Sequence, residues 1–244
     1  MIGNKIIHLD SVDSTNNYLK EAIKSGKIKE GTVVIAGEQT TGRGQAGNSW
    51  ISNKGENLTF SFAIYPIYIN AVNQFSISKA VCLALSEIIE TYVENVKIKW
   101  PNDIYVNEKK IAGILIENTI MGSSISSSVV GIGLNINQQS FPSSIPNATS
   151  FFIETGNKFN IENQLQQLIK KLNISFSTLK RGKVENIDTM YLSKLYRYKE
   201  LKTYKANEKI FEATIEGVDE YGRLILKNKE DKLMVFAFKE VQYI

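Results

Sequence analysis

Leu58, Phe60, Phe62 and Ile64 alternate with Thr59, Ser61 and Ala63, the two-residue period of a strand that buries one face. Val96, Ile98 and Trp100 alternate with Lys97 and Lys99 in the same way. Lys5–Leu9 predicts a short strand, and Thr32–Ala36 is apolar on both faces, as an inner strand would be. Ile104–Val106 and Ile111–Glu117 predict two strands joined by a hairpin at 107–110. Gly122 and the serines up to Ser128 predict a turn, and Val129–Ile136 a strand whose Gly131 and Gly133 permit close backbone approach. Helical spacing appears over Thr15–Ser25, which Gly26 can end, and over Ser76–Val93, apolar along most of one side and expected to pack on the sheet. Leu165, Leu168, Ile169, Leu172 and Phe176 mark a further helix over Ile161–Leu179, with a shorter piece at Ile187–Leu195. After Tyr198 the pattern turns to short strands: Ile210–Ile215, Arg223–Lys227 and Leu233–Phe238. A module of about fifty residues builds little core alone and is expected to dock on the main domain. The expected organisation is therefore α+β over residues 1–196, a mixed sheet backed by helices, followed by a small β-barrel over 197–244.

One stretch obeys neither period. Gly37–Trp50 reads GEQTTGRGQAGNSW, with four glycines and no Leu, Ile or Val. Glycines let the backbone take positive φ and approach a ligand, and runs of N–H in such turns form anion-binding concavities. A solvated surface loop satisfies the glycine spacing equally well, but Arg43 between Gly42 and Gly44 adds a planar fork for a carboxylate or phosphate. Three smaller clusters follow the same ambiguity. Ser14-Thr15-Asn16 opens a helix, where it can cap or face an anion. Lys99-Trp100-Pro101-Asn102-Asp103 makes either an Asx-type turn or a set of ligand contacts. Lys110, just before an apolar strand, points either into water or into a cleft.

Composition narrows the chemistry. The 244 residues are 43% hydrophobic and 22% charged, with 29 basic and 25 acidic residues giving +4. The charge is mild and dispersed, so no nucleic-acid face is expected. No secretory signal, no span of ~20 apolar residues and a single cysteine give a cytoplasmic location and no membrane partner as expectations. One His and one Cys are too few for a zinc site or a His-based triad, and no metal ligand is assigned. No GKS or GKT follows a glycine loop, which excludes a P-loop.

Taken in order, STN, EQTTGRGQAGNSW, KWPND, KKIAGILIE and GIGLNIN resemble the catalytic core of the biotin–protein ligases, from about Ile6 to Asn137. More loosely, Glu216–Asp219 and Phe238–Val241 resemble that family's SH3-like domain. The resemblance implies a fold related to class II aminoacyl-tRNA synthetases and two half-reactions. Biotin and Mg²⁺-ATP give biotinyl-5′-AMP and pyrophosphate, and a lysine amine of a biotin carboxyl carrier protein domain then takes the biotinyl group and releases AMP. Carried over by motif, Ser14, Thr15, Asn16, Gln39, Gly42, Arg43, Gly44, Gln45, Lys110 and Gly113 are expected at biotin. Arg43, Gln45, Trp50, Asn102, Asp103, Lys110 and Asn135 are expected at ATP. Arg43 and Lys110 would offset the meeting of carboxylate and α-phosphate, and Asp103 would orient or deprotonate the acceptor amine.

Many members carry a second Arg where Gln45 stands, so some leakage of adenylate is expected. Repressor-type relatives have an N-terminal helix-turn-helix absent here, so operator binding is not expected. Some relatives have a basic residue near the chain end, and none follows Lys239. A homodimer is possible, with the strand near Val129–Ile136 as a candidate edge. A lipoate or octanoyl attachment enzyme shares the fold and the acyl-to-lysine logic, but the GRG-Q and KWPND elements favour biotin. A non-enzymatic binding module built on the SH3-like end is the remaining alternative.

Overall fold

In the computed structural model, which describes residues 1–244, seven strands form one mixed sheet. They are β1 (Lys5–Leu9), β2 (Thr32–Ala36), β3 (Leu58–Ile64), β4 (Val96–Lys99), β5 (Asp103–Val106), β6 (Lys109–Met121) and β7 (Ser124–Leu134), ordered β1-β2-β3-β7-β6-β5-β4. Only β1 and β2 pair in parallel; every other neighbour is antiparallel. All seven residues of β3 are buried, because one face meets the main core while Thr59 and Ser61 face the packed polar side.

Helix α2 (Phe75–Ile89) backs the sheet, and 13 of its 15 residues are buried. By length and composition 71–89 matches a membrane span, but that apolar surface is covered by the protein's own core. Helices α4 (Ile161–Lys180) and α5 (Val184–Lys194) lie over α2, α1 (Thr15–Lys24) covers the other face of the sheet, and α3 (Phe151–Thr155) is a single turn after the 138–148 loop. Helix α2 stops at Ile89 rather than Val93, because the Tyr92 and Val93 amides bond back to the Ile89 carbonyl in closing turns and Asn95, at φ 56°, redirects the chain. Helix α5 begins three residues before the expected Ile187.

The β6–β7 hairpin is longer than its sequence suggests. Its turn is Gly122-Ser123, with Gly122 at φ 61°, and Ser124–Ser128 continue the strand around a fully buried Ile125. This also corrects the expected edge: β7 lies between β3 and β6, with both sides paired. The edges are β1 and β4, and the latter is partly covered where the Tyr196 amide bonds to the Ile98 carbonyl at 2.8 Å.

A second sheet follows: β8 (Lys202–Ala206), β9 (Lys209–Val218), β10 (Leu224–Asn228), β11 (Leu233–Phe236) and β12 (Gln242–Tyr243), in the order β11-β10-β9-β8-β12. It docks as expected. Tyr204, Ala213, Ile215, Leu224, Leu226 and Val241 belong to the same 47-residue core cluster as α2 and the main sheet. At the joint the Trp100 indole N–H donates to the Gly222 carbonyl at 2.8 Å, and Gly222, at φ 87°, leaves room only for the ring of Phe75.

Candidate active site

Strand register lays one row across the sheet: Lys99 on β4, Asp103 on β5, Gly113 on β6, Gly133 on β7 and Thr59 on β3. The two glycines make a bare floor on which the Trp50 indole lies. A Cβ at Gly113 would sit 3.0 Å from that ring, and one at Gly133 would fall inside it. Above this row is a cavity of about 570 Å³. Its far lip is formed by Phe238, Lys239, Val241, Gln242 and Tyr243 of the C-terminal module.

One end of the cavity is polar and uncharged. Ser14, Thr15 and Asn16 are buried at the start of α1. Ser14 is the N-cap residue, but its side chain makes no capping bond. Gln39, reaching from the glycine-rich loop, accepts from the Thr15 amide at 2.8 Å and lies 3.1 Å from its hydroxyl. The Thr15 hydroxyl meets Ser61 Oγ at 2.6 Å, and Ser61 donates to Asn16 Oδ1 at 2.6 Å. Gly131 leaves space for that Asn16 carbonyl, where any Cβ would collide with it.

The glycine-rich loop is a small hairpin. Trp50 N–H bonds to Gly42 O at 2.9 Å, Gly44 N–H bonds to Asn48 O at 2.6 Å, and Ala46 (φ 52°) and Gly47 (φ 85°) make its tip. Arg43 grips Glu117 on β6 with two nitrogens, at 3.2 and 3.1 Å, and Asn17 at 2.7 Å. Lys20 and Asn16 reach the same carboxylate, both at 2.9 Å. Partial burial opposes charge on Glu117, but the hydrogen bonds from Lys20 and Asn16 and the Arg43 charge outweigh it and set its pKa below the usual carboxylate range. Lys239 donates to the Ala46 carbonyl at 2.7 Å, so the C-terminal module holds the hairpin tip.

The other end is charged. Lys110 pairs with Asp103 at 2.6 Å, and its ammonium lies 5.6 Å from the Trp50 ring centre. Asn102 donates to the Ile114 carbonyl at 2.6 Å, which fixes the turn after Pro101. Behind Trp50 a second hollow of about 270 Å³ is lined by Trp50, Lys110, Asn135, Phe141 and Ile145. The Asn135 side-chain amide donates to Thr149 O at 2.9 Å, and its side-chain oxygen Oδ1 is buried without a partner.

Most of the expected residues therefore meet. Ser14, Thr15, Asn16, Gln39, Arg43, Gly44, Gln45, Trp50, Asn102, Asp103, Lys110 and Gly113 line the main cavity. Asn135 lines the second hollow, and Gly42 lies on the outer side of the hairpin, where its backbone closes the loop. Asn16 and Arg43 are engaged with Glu117. The sequence reading placed Lys99 in the Lys99–Asp103 cluster without a role of its own, and assigned no site role to Ser61, Glu117, Lys239 or Tyr243. The KWPND and KKIAGILIE motifs contain Lys99 and Glu117, and strand alternation turns Ser61 to the same face as Thr59; Lys239 and Tyr243 carried no signal for this site.

The chain matches the family model described as Biotin/lipoate A/B protein ligase family over residues 9–135. It is 29% identical over 237 residues to the biotin–[acetyl-CoA-carboxylase] ligase of Paracoccus denitrificans, covering 94% of this chain and 97% of that one. It is 32% identical over 173 residues to the bifunctional ligase/repressor BirA of Bacillus spizizenii, covering 69% of this chain and only 53% of the relative, so it spans about half the length of that protein. Among solved structures, biotin protein ligase from Aquifex aeolicus in complex with biotin and ATP superposes with a TM-score of 0.82 at 28% identity, covering 99% of this chain and 100% of that one. The family model spans more than half of the sequence, and the chain belongs to the biotin/lipoate A/B protein ligase family.

Proposed function

We propose that this protein is an ATP-dependent biotin–protein ligase: it activates biotin as biotinyl-5′-AMP and transfers the biotinyl group to a lysine of a biotin carboxyl carrier domain. The observation that carries this reading is one cavity with a buried, uncharged hydrogen-bonding end, a glycine floor under an aromatic ring and a Lys–Asp end. A ureido ring both donates and accepts, which suits Ser14, Thr15 and Gln39 on the cavity wall. A lipoyl dithiolane offers no comparable donor or acceptor and would forfeit these hydrogen bonds, which favours biotin.

In the first half-reaction a carboxylate oxygen attacks the α-phosphorus as the bond to pyrophosphate breaks. Two anions must meet, and Lys110 and Arg43 supply the positive charge that offsets this. Both are paired in the free protein, so the substrates compete with Asp103 and Glu117 for them. Adenine stacks on Trp50, and the unpartnered Asn135 oxygen accepts from its amino group. Mg²⁺ is bound through one or two carboxylates plus substrate phosphates in sites of this kind. No cluster of three ligating residues exists here, but Asp103 is a carboxylate on the cavity wall, a donor set that fits an ion arriving with the nucleotide. When bound, that ion would neutralise phosphate charge.

In the second half-reaction the lysine nitrogen attacks the acyl carbon, and the acyl–oxygen bond to AMP breaks. The amine, of ordinary pKa ~10.4, must first lose a proton. Once Lys110 turns to the ligand, Asp103 is released to orient that ammonium and take its proton. The loop hairpin, clasped by Lys239, excludes water from the mixed anhydride. Gln45 lines the cavity with its side-chain oxygen buried and unpartnered, and supplies less positive charge than an Arg there would, so faster adenylate loss than from Arg-bearing relatives is expected.

The test is pyrophosphate release from Mg²⁺-ATP with and without biotin, then transfer to a carrier domain. Biotin-dependent release should fall by about a hundredfold or more in Lys110→Ala and Arg43→Ala, as the loss of transition-state charge stabilisation does. Asp103→Asn, supplied with biotinyl-5′-AMP so that the first half-reaction is bypassed, should transfer it slowly. Release with lipoate or octanoate instead of biotin would keep the fold and overturn the substrate. Normal transfer by Asp103→Asn would remove that role.

A further inference from the structure

Lys99 differs from every other cation on the cavity wall. Arg43 is paired with Glu117, Lys110 with Asp103, and Lys239 with a backbone carbonyl. Lys99 has no carboxylate partner. Its ammonium lies 4.7 Å from the Tyr105 ring centre, 5.0 Å from that of Tyr243 and 5.7 Å from that of Tyr196, and it donates to the Tyr105 hydroxyl at 3.3 Å. The three rings come from β5, the segment after α5 and the last strand of the C-terminal module. Ring faces hold an ammonium in place without neutralising it. Burial pulls the Lys99 pKa below the ordinary lysine range, against the opposing pull of the Asp103 charge. A partly buried cation without a counter-ion is unfavourable unless a ligand supplies the negative charge.

The register fixes where that charge would come from. Lys99 lies one strand beyond Asp103 and two beyond Gly113, about 10 Å from the glycine floor at the usual strand spacing of ~4.8 Å. Under the proposed function the base lies on Trp50 and the α-phosphate meets Lys110, both over Gly113. The rest of the triphosphate runs away from the base along the row toward Lys99.

Resting on the ligase reading, we propose that Lys99 binds the β- and γ-phosphates of ATP, and so the pyrophosphate leaving group, while Tyr105, Tyr196 and Tyr243 hold it in position. The test is biotin-dependent adenylation by the full chain carrying Lys99→Met, which keeps length and packing, or Lys99→Arg, which keeps charge. Losing a charge-assisted phosphate contact should raise the KM for ATP about tenfold to a hundredfold, and weaken inhibition by added pyrophosphate by a similar factor. The KM for biotin, and transfer from supplied biotinyl-5′-AMP, which lacks those phosphates, should stay within about twofold. Lys99→Arg should recover most of the ATP affinity. An unchanged KM for ATP in Lys99→Met overturns the proposal. So does equal loss of ATP and adenylate use, which marks a packing role, or an Arg variant as impaired as Met. If the wild-type protein shows no biotin-dependent release, the ligase reading falls and this inference with it; if it does and Lys99→Met matches it, only this inference falls.

Discussion

A methyl group at position 133 has nowhere to go. The site it would occupy is filled by the Trp50 indole, and the strands on either side of β7 prevent the backbone from yielding. Gly133→Ala should therefore displace the ring rather than unfold the sheet, raising the KM for ATP by tenfold or more while the melting temperature moves by only a few degrees. Adenylation kinetics beside a thermal melt would check this, and unchanged ATP use would show that the ring position is unimportant. The sequence already marked Gly131 and Gly133 for close approach, from two glycines inside an apolar strand. What approaches them was not legible. Asn16 and Trp50 are 115 and 83 residues away, by subtraction from 131 and 133, and only the folded register brings them there.

The loop hairpin depends on a pair of charges at the scale of elements. Arg43 ties it to β6 through Glu117, whose folded pKa lies below its ordinary value. The stabilisation is therefore fully present above the usual glutamate pKa of ~4.3 and is lost as the pH falls through the lower, folded value. Glu117→Gln should cost about 0.5–1 kcal/mol at pH 7, since the network is partly screened, and progressively less as the pH is lowered into the range where the folded carboxylate protonates. Denaturant unfolding across that pH range measures the trend, and a cost that stays constant would rule out the ion pair as its source. Strands with strict alternation, such as β3, were readable from the sequence because burial on one face imposes a period. The β6–β7 tip was not, because Ser124–Ser128 read as a turn while the ladder to β6 carries them as strand. Strand β8, KTYKA, was missed because only Tyr204 and Ala206 are buried and its lysines look like a linker. The motifs showed which loops matter, but Glu117, Lys239 and Lys99 lie at the edges of or outside the glycine-rich stretches, and gain their roles from neighbours far off in the chain.

For the molecule as a whole, the continuous core decides how it comes apart. The C-terminal sheet shares one apolar cluster with α2 and the main sheet, and the joint is pinned by the Trp100–Gly222 hydrogen bond. Unfolding should be a single transition, since two sheets sharing a core lose it together. Trp100→Phe leaves the Gly222 carbonyl without its donor and a gap beside Phe238, and should lower stability by about 2–4 kcal/mol without splitting that transition. Calorimetry showing two separate peaks would contradict a shared core. The same joint has an optical consequence. The chain has two tryptophans, one fixed at the junction of the sheets and one on the cavity floor beneath the Lys110 ammonium. Emission from Trp100 reports whether the two halves are together, and emission from Trp50 whether anything has stacked upon it. The Trp100→Phe variant therefore leaves a single intrinsic fluorophore in the site, able to follow ligand arrival in real time without a label.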